Sequence, residues 1–373
     1  MGVVSPSDGP VAVTGAAGYL GSHVVAALLQ HGYEVRACVT DAGNPDKADH
    51  LLSLDAAGGP GRVQLHRANL LRERSYDRAL AGCCAVLHVG TPKGNAVSTP
   101  RQVYDGAIDG TANLLGSVQR AGSVRRFVYT SSCAAINHPA PPGYFYSEAD
   151  WADDPVPPEV PAWWLDVCHS NISHWEEPAI DTRPFAAYTA GKVRAERLAF
   201  EFAAHDGSFD AIAVCPMVIL GPLLSSRHHW VPSAQWVLGR MMSGYPCPWG
   251  WQHLWNITDV RDVAEAHVLT LESLRCSNGD RYQLTAADGS GELTVTDLQA
   301  QLAALFPGHR VGGPPEEYSS FLAEHGGAPY DAPRARCDRA VNVLGLKTHA
   351  VADTLRDTVL SMGELGWLDQ FGT

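Results

Sequence analysis

Val11-Ala-Val-Thr-Gly-Ala-Ala-Gly-Tyr-Leu-Gly21 is the stretch whose reading decides the fold of this chain. An apolar strand runs into a glycine-spaced turn, and a helix follows at once with Leu20, Val24 and Leu28 repeating every four residues. Each glycine has a physical task. Gly15 lets the turn tighten, Gly18 lets the backbone approach a bulky anion, and Gly21 lets the helix lie close to the strand. The helix start, with its free N–H groups and positive dipole end, then faces the ligand, and a pyrophosphate suits that geometry. Glycines at this spacing also occur in ordinary strand-to-helix turns, so the surroundings decide. The helix closes on His31-Gly32 with a C-cap glycine, and Tyr33 to Val39 follows as a second apolar strand, so the chain opens on a compact strand-helix-strand unit.

Around that unit lies a chain of 373 residues, 45% hydrophobic, enough for one large core or two modest ones. Its formal net charge of -13 argues against a polyanionic partner, because nucleic-acid binders carry a basic face. A nucleotide can still be held by backbone N–H groups. The N-terminal residues lack a signal-peptide layout, and no apolar run reaches the ~18 residues that cross a bilayer, which leads us to expect a soluble, cytoplasmic protein with no membrane partner. Nine cysteines without Cys-x-x-Cys spacing fit neither a disulfide framework nor a zinc site. His228-His229 has no third ligand in view, so no metal is expected.

Further strands are read at Val63–Leu70, Cys83–Gly90, Arg126–Cys133 and Ala211–Leu220, the last running unbroken to Gly221-Pro222 as in a buried parallel sheet. The fold class is therefore α/β, a doubly wound parallel sheet, whose strand ends form the ligand crevice. After the second strand, Val39 is followed by Thr40 rather than an acid and Lys47 is near, a pattern favouring a 2'-phosphate, with Arg36 and Thr40 as weaker contributors. Asn69 ends the third strand where it can reach an adenine. Ser131 and Ser132 end the fifth.

A helix beginning near Phe185 carries Tyr188 and Lys192 on one face. A free tyrosine has a pKa of about 10, so proton exchange near neutrality requires a site that favours phenolate by about 4 kcal/mol. A cation one turn away is one means. Residues 136–184, rich in Pro, Trp and Asp, read as a lid or substrate loop. All ten tryptophans lie after Asp150, and several cluster between Trp230 and Trp255, which points to an aromatic-lined pocket in the second half. Asp259 reads as the N-cap of an amphipathic helix.

These residues together resemble the extended short-chain dehydrogenase/reductase family, in the NAD-dependent epimerase/dehydratase superfamily, and within it the group of dihydroflavonol and cinnamoyl-CoA reductases. The carriers are Thr14-Gly15-x-x-Gly18-x-x-Gly21, His88-Val-Gly-Thr-Pro92, Asp109-Gly-Thr-Ala-Asn113, Thr130-Ser-Ser132, Tyr188-x-x-x-Lys192, Pro216-Met-Val-Ile-Leu-Gly-Pro222 and the segment from Asp259 to His267. The resemblance implies a Rossmann fold over 8–222, with 253–272 returning to it and 223–373 mainly binding substrate. It implies that Ser132 holds the substrate carbonyl, with Ser131 as fallback, that Tyr188 donates the proton, and that Lys192 binds the nicotinamide ribose and depresses the tyrosine pKa. Asn113 would be the family's structural asparagine. Cofactor contacts are expected at Gly15, Ala17, Gly18, Tyr19, Leu20, Arg36, Thr40, Lys47, Asn69, Leu70, Val89, Gly90, Thr91, Tyr188, Lys192, Pro216 and Val218. Substrate contacts are expected at Pro92, Cys133, Trp163, Trp164, His228 and Trp230.

Two departures stand out: related NADP-dependent members carry arginine where Thr40 stands and aspartate where Asn69 stands. The segment between Ser132 and Tyr188 is also longer than in that group. The expected activity is NADP(H)-dependent reduction of an aldehyde or ketone of a hydrophobic small molecule, aromatic ones included, with NAD as the second cofactor, by a monomer or homodimer. A sterol-type 3-beta-hydroxy dehydrogenase, a nucleotide-sugar epimerase and a non-catalytic dinucleotide sensor are the alternatives.

Overall fold

The computed structural model describes residues 3–56, 60–91, 99–141, 143–160, 184–228, 233–248, 254–324 and 334–371. Seven parallel strands form the central sheet. They are β1 (Val11–Thr14), β2 (Glu34–Val39), β3 (Arg62–Arg67), β4 (Ala85–His88), β5 (Arg126–Thr130), β7 (Asp210–Pro216) and β10 (Arg281–Leu284), in the spatial order β10-β7-β5-β4-β1-β2-β3. Order reverses at β1, where β2 lies on one side and β4 on the other. Thr14 pairs with Cys38 of β2 and with His88 of β4, so the ends of these strands come level. A ligand crevice opens at such a switch point.

Alternate residues of each strand feed opposite faces. Val11, Val13, Val35, Ala37, Leu87, Val128 and Val214 pack with α1 (Tyr19–Gln30) and with a later helix, Val260–Glu272. Ala12, Cys38, Val86, Phe127, Tyr129 and Ala211 face the other way. They meet the two long helices Pro100–Ala121 and Pro184–Asp206, which follow the short helices α2 (Pro45–Ala56) and α3 (Asp77–Leu80). We label the long pair α4 and α5. Burial on both faces explains why the strands read as continuous apolar runs.

The expected single strand Ala211–Leu220 is two strands. Pro216 has no N–H, and beyond it the chain changes partners: Met217 N donates to Leu284 O, whereas Val218 N donates to Asn256 O. Val218–Leu220 is therefore β8, paired with β9 (Ile257–Asp259) outside the main sheet. Asp259 caps Val260–Glu272, here α7, by accepting from Arg261 N at 2.8 Å. The return of the chain to the sheet extends past 272, because β10 adds the seventh strand and Cys337, Ala340 and Leu344 pack into the same core.

A second core joins β8 and β9 to α6 (Ala234–Met242), α8 (Val295–Leu305), α9 (Glu317–Glu324) and α10 (Val351–Glu364). Of residues 136–184, those described up to 160 are folded. They include β6 (Phe145–Tyr146), which pairs with β11 (Arg334–Ala335), while 161–183 lie outside the described residues. The eight cysteines among the described residues are free, and among those residues no helix is long and apolar enough to cross a membrane.

Candidate functional site

The glycine turn is backbone packed on backbone. Gly15 has φ of 64°, and a Cβ there would lie 2.5 Å from Gly90 Cα, while one on Gly90 would lie 2.9 Å from Gly15 N. The ends of β1 and β4 therefore touch with no side chain between them. A Cβ on Gly21 would lie 2.1 Å from Gly15 O, which explains how α1 starts so close beneath the turn. Gly15 and Gly18 are exposed, and the first-turn N–H groups of α1 have no intrahelical acceptors. An open cradle without Cβ atoms at a helix N-terminus fits a dinucleotide phosphate.

The cradle is held from below by a buried chain of hydrogen bonds. Thr14 Oγ1 accepts Gly90 N–H at 3.0 Å and lies 2.9 Å from His88 Nδ1, and His88 Nε2 lies 3.2 Å from Thr111 Oγ1. Thr111 gives its own proton to Ala107 O at 2.8 Å, so His88 donates from Nε2 and accepts the Thr14 hydroxyl at Nδ1. Burial, then the Lys192 ammonium, holds this imidazole neutral, with its pKa down to about 3.

The other expected cofactor contacts divide. Ala17, Tyr19 and Leu20 lie on the turn and first helical turn, although the Tyr19 hydroxyl reaches away to Gly221 O at 2.9 Å. Val89, Gly90 and Thr91 are partly exposed past the end of β4, Pro216 ends β7, and Val218 begins β8. Leu70 O accepts from Asn113 Nδ2 at 2.9 Å, so Asn113 ties α4 to the loop after β3. Asn69 folds its amide back on its own backbone, Oδ1 accepting Leu71 N at 3.0 Å.

Arg36 is a correction. Its guanidinium donates to Ala79 O at 2.9 Å and Ala81 O at 2.6 Å, carbonyls just before β4 begins, and is thus drawn to the sheet edge opposite the crevice. Thr40 is exposed past the end of β2. Lys47 belongs to α2, with its side chain outside the described residues.

At the end of β5 the two serines part. Ser131 N–H donates to Val214 O at 2.8 Å and its hydroxyl donates to the Glu196 carboxylate, so Ser131 is committed below the surface. Ser132 instead caps a short 3-10 turn, its Oγ accepting Ala134 N at 3.2 Å, and its side chain acts on the Tyr188 phenol, drawing that pKa down. Lys192, 3% exposed, donates from Nζ to Thr130 O at 2.8 Å and Thr91 Oγ1 at 2.9 Å. Nζ also lies 5.0 Å from the Tyr129 ring centre and 5.9 Å from that of Tyr188. Hydroxyl, phenol and ammonium therefore converge at the crevice.

The Tyr188 pKa corrects the expectation of depression. Desolvation pushes it up to about 12, against which the Ser132 hydroxyl pulls down, while the neighbouring Cys133 thiol pushes up. The ammonium is engaged by Thr130 and Thr91 rather than by the phenol oxygen.

Among the substrate candidates, Cys133 does lie at this group, with Sγ 3.9 Å from Ser132 Oγ. Pro92, Trp163, Trp164 and Trp230 lie outside the described residues. His228 is a correction: its Nε2 is 3.3 Å from Ser22 Oγ and its Nδ1 accepts Leu224 N at 3.2 Å, with the His50 ring 5.2 Å away. Those partners belong to its own loop and to α1 and α2, and none is in the Ser132–Tyr188–Lys192 group. Trp255, at 1% exposure, packs the second core rather than lining a pocket. Sequence reasoning missed Thr130 as the second Lys192 acceptor and Glu196 as the partner of Ser131. The periodicity of α5 carried the second of these, since 188, 192 and 196 share a stripe.

Residues 11–161 match the NAD dependent epimerase/dehydratase family. A cinnamoyl-CoA reductase from Medicago truncatula is 34% identical over 72% of this chain and 73% of that protein. Tetraketide alpha-pyrone reductase 1 from Arabidopsis thaliana is 29% identical over 97% of this chain and 98% of its own. Among solved structures, yeast methylglyoxal/isovaleraldehyde reductase Gre2 complexed with NADPH superposes with a TM-score of 0.74 at 21% identity, covering 96% of this chain and 99% of that one. The chain belongs to the NAD dependent epimerase/dehydratase family and is an NAD(P)-dependent oxidoreductase of its extended short-chain dehydrogenase/reductase branch.

Proposed function

We propose that this enzyme reduces an aldehyde or ketone of a hydrophobic, aromatic small molecule, that Tyr188 is the proton donor, and that NADPH is the preferred cofactor. The observation that carries the reading is the meeting of Ser132, Tyr188 and Lys192 at the crevice beside the Gly15–Gly90 cradle. Bound there, the reduced nicotinamide supplies the hydride. Ser132 orients the substrate carbonyl oxygen toward the phenol. A phenol held up at about 12 is protonated at neutral pH, which suits a donor in the reductive direction. As the carbonyl carbon takes the hydride, the C=O π pair moves to oxygen and collects the Tyr188 proton. The resulting phenolate is favoured by the Ser132 hydroxyl and is reprotonated from solvent. Lys192, held by Thr91 and Thr130, would bind the nicotinamide ribose.

The relatives support the carbonyl chemistry, being named as reductases of a cinnamoyl thioester and of tetraketide pyrones. Support for NADPH comes from the yeast reductase, named as its complex, and from the absence of an acid at Thr40.

Titration with NADPH and NADH, followed by tryptophan fluorescence, tests the cofactor, and equal affinity retracts the preference. A panel of aromatic aldehydes and ketones tests the reaction. Turnover should fall at least a hundredfold in Tyr188→Phe with the cofactor Kd unchanged; binding without turnover across the panel in the native enzyme would instead make it a sensor.

A further inference from the structure

Helix α5 carries a third member of the stripe begun by Tyr188 and Lys192. Glu196 lies eight residues from Tyr188, is 0% exposed, and accepts from two sides: the Ser131 hydroxyl, and Arg281 Nε at 2.5 Å from β10. Arg281, itself 3% exposed, spends the rest of its guanidinium on the segment that follows Ser132. It donates to Ala135 O at 3.3 Å, Glu148 O at 3.0 Å and Asp150 O at 2.6 Å, and its centre lies 3.8 Å from the Trp151 ring. Ala135 ends the 3-10 turn that Ser132 caps.

We propose that Glu196 and Arg281 are positioning residues that set the Ser132–Tyr188 geometry. Resting on the reading of Ser132 and Tyr188 given above, the inference assigns to this buried pair the choice of which serine serves the reaction. Glu196 withdraws Ser131. Arg281 pins the far end of the turn, so that the Ser132 hydroxyl is held toward the phenol. One rigid helix carries both the proton donor and the anchor of its partner, and the distance between them is fixed by helical rise rather than by a loop. An ion pair this deep is an expensive way to gain stability alone, since apolar residues of similar volume serve as well. Its geometry accounts for it as a placement device.

The groups facing Tyr188 are the Ser132 hydroxyl and Cys133 thiol from the turn after β5, the Tyr129 phenol from β5, and Lys192 on its own helix. Of these, the Ser132 hydroxyl favours the phenolate. Displacing Ser132 therefore makes the phenolate harder to form.

The test uses the intact enzyme in the alcohol-oxidising direction, where the phenolate is the base and kcat rises with pH. In Glu196→Gln, kcat should fall at least tenfold and its rising limb should move to higher pH, while the NADPH Kd stays within twofold, because the glycine cradle belongs to other elements. Ser131→Ala should lose no more than about threefold. Should Glu196→Gln fold poorly, the double variant Glu196→Met/Arg281→Met removes both charges and leaves neither buried alone; it should show the same displaced limb. A lowered kcat with an unmoved limb means fewer folded molecules and overturns the proposal, as does native kcat in the double variant. Tyr188→Phe separates the two claims: its retaining turnover sinks the catalytic reading, whereas its inactivity beside a native profile in Glu196→Gln sinks only this one.

Discussion

Gly15 shows how one residue joins strain, packing and ligand. Its φ of 64° already disfavours a side chain, and the atom a Cβ would strike is backbone, Gly90 Cα at 2.5 Å, which cannot swing aside as a side-chain tip can. In Gly15→Ala the ends of β1 and β4 must separate, at a cost of about 1–3 kcal/mol for the left-handed backbone alone. Since the same two backbones form the cradle, stability and cofactor binding should fall together: a Tm lowered by several degrees and NADPH affinity weakened at least tenfold in a fluorescence titration. A Gly15→Ala protein that melts early yet binds normally would show that the cradle does not hold the phosphate. The task assigned to Gly15 from sequence needed only its place in the turn. The orientation of Arg36 was not legible in that way, because its reach is set by Ala79 and Ala81 carbonyls more than forty residues on, and no local pattern encodes them.

At the scale of elements, α10 illustrates a hydroxyl stripe doing the work of a strand edge. Thr354, Thr358 and Ser361 face one way on a helix whose apolar residues Val351, Leu355 and Val359 enter the second core. Gly221 N–H donates to Thr358 Oγ1 at 2.7 Å, Leu223 N–H donates to Ser361 Oγ at 2.9 Å, and Thr354 donates to Asp259, the cap of α7. The chain leaving β8 has no strand partner for those amides, so the helix supplies one. Thr358→Val keeps the volume and orphans the Gly221 amide, which costs about 1–3 kcal/mol. Gly221 O in turn accepts the Tyr19 hydroxyl from α1, so the damage should reach the glycine turn. A lowered midpoint in urea with weaker NADPH binding is expected; an unchanged midpoint would mean the amide finds another acceptor. Helices with their own signals were readable in advance: Pro100 to Ala121, Val295 to Leu305 and the Asp259-capped α7 carry caps and a 3.6-residue period. The partner switch at Pro216 was not, since an apolar run looks the same whether one sheet or two receives it.

Over the whole molecule, buried histidines set how stability depends on pH. His23 on α1, His88 on β4, His228 beside α1 and His267 on α7 are each between 0% and 6% exposed. Desolvation is the largest cause in all four, bringing His23 and His267 down to about 4 and His88 and His228 down to about 3. Their native hydrogen bonds use the neutral ring: His267 Nδ1 donates to Val263 O at 2.7 Å, leaving Nε2 to accept from Thr130 Oγ1 at 2.6 Å. Unfolded, each titrates near 6.5. Between those values the unfolded chain binds more protons than the folded one, so stability increases with pH in that interval and is fully present above about 6.5. Each histidine contributes a slope of about 1.4 kcal/mol per pH unit once the unfolded ring is mostly protonated, and four together approach ~5 kcal/mol per unit. Asp77 acts lower: held down to about 2 chiefly by Arg120, it loses its contribution only as pH falls below the usual carboxylate range. The urea midpoint should therefore be level above pH 7 and drop steeply between pH 6 and 5. His267→Gln, which can accept from Thr130 without a titrating ring, should lower the midpoint at pH 7.5 but flatten the acid slope by about one quarter. A slope unchanged in that variant, or a midpoint level down to pH 5, would show that the buried rings take up protons in the folded state. Because Thr130 also bonds Lys192 through its carbonyl, that outcome would carry acid sensitivity straight to the residues that hold Tyr188 in place.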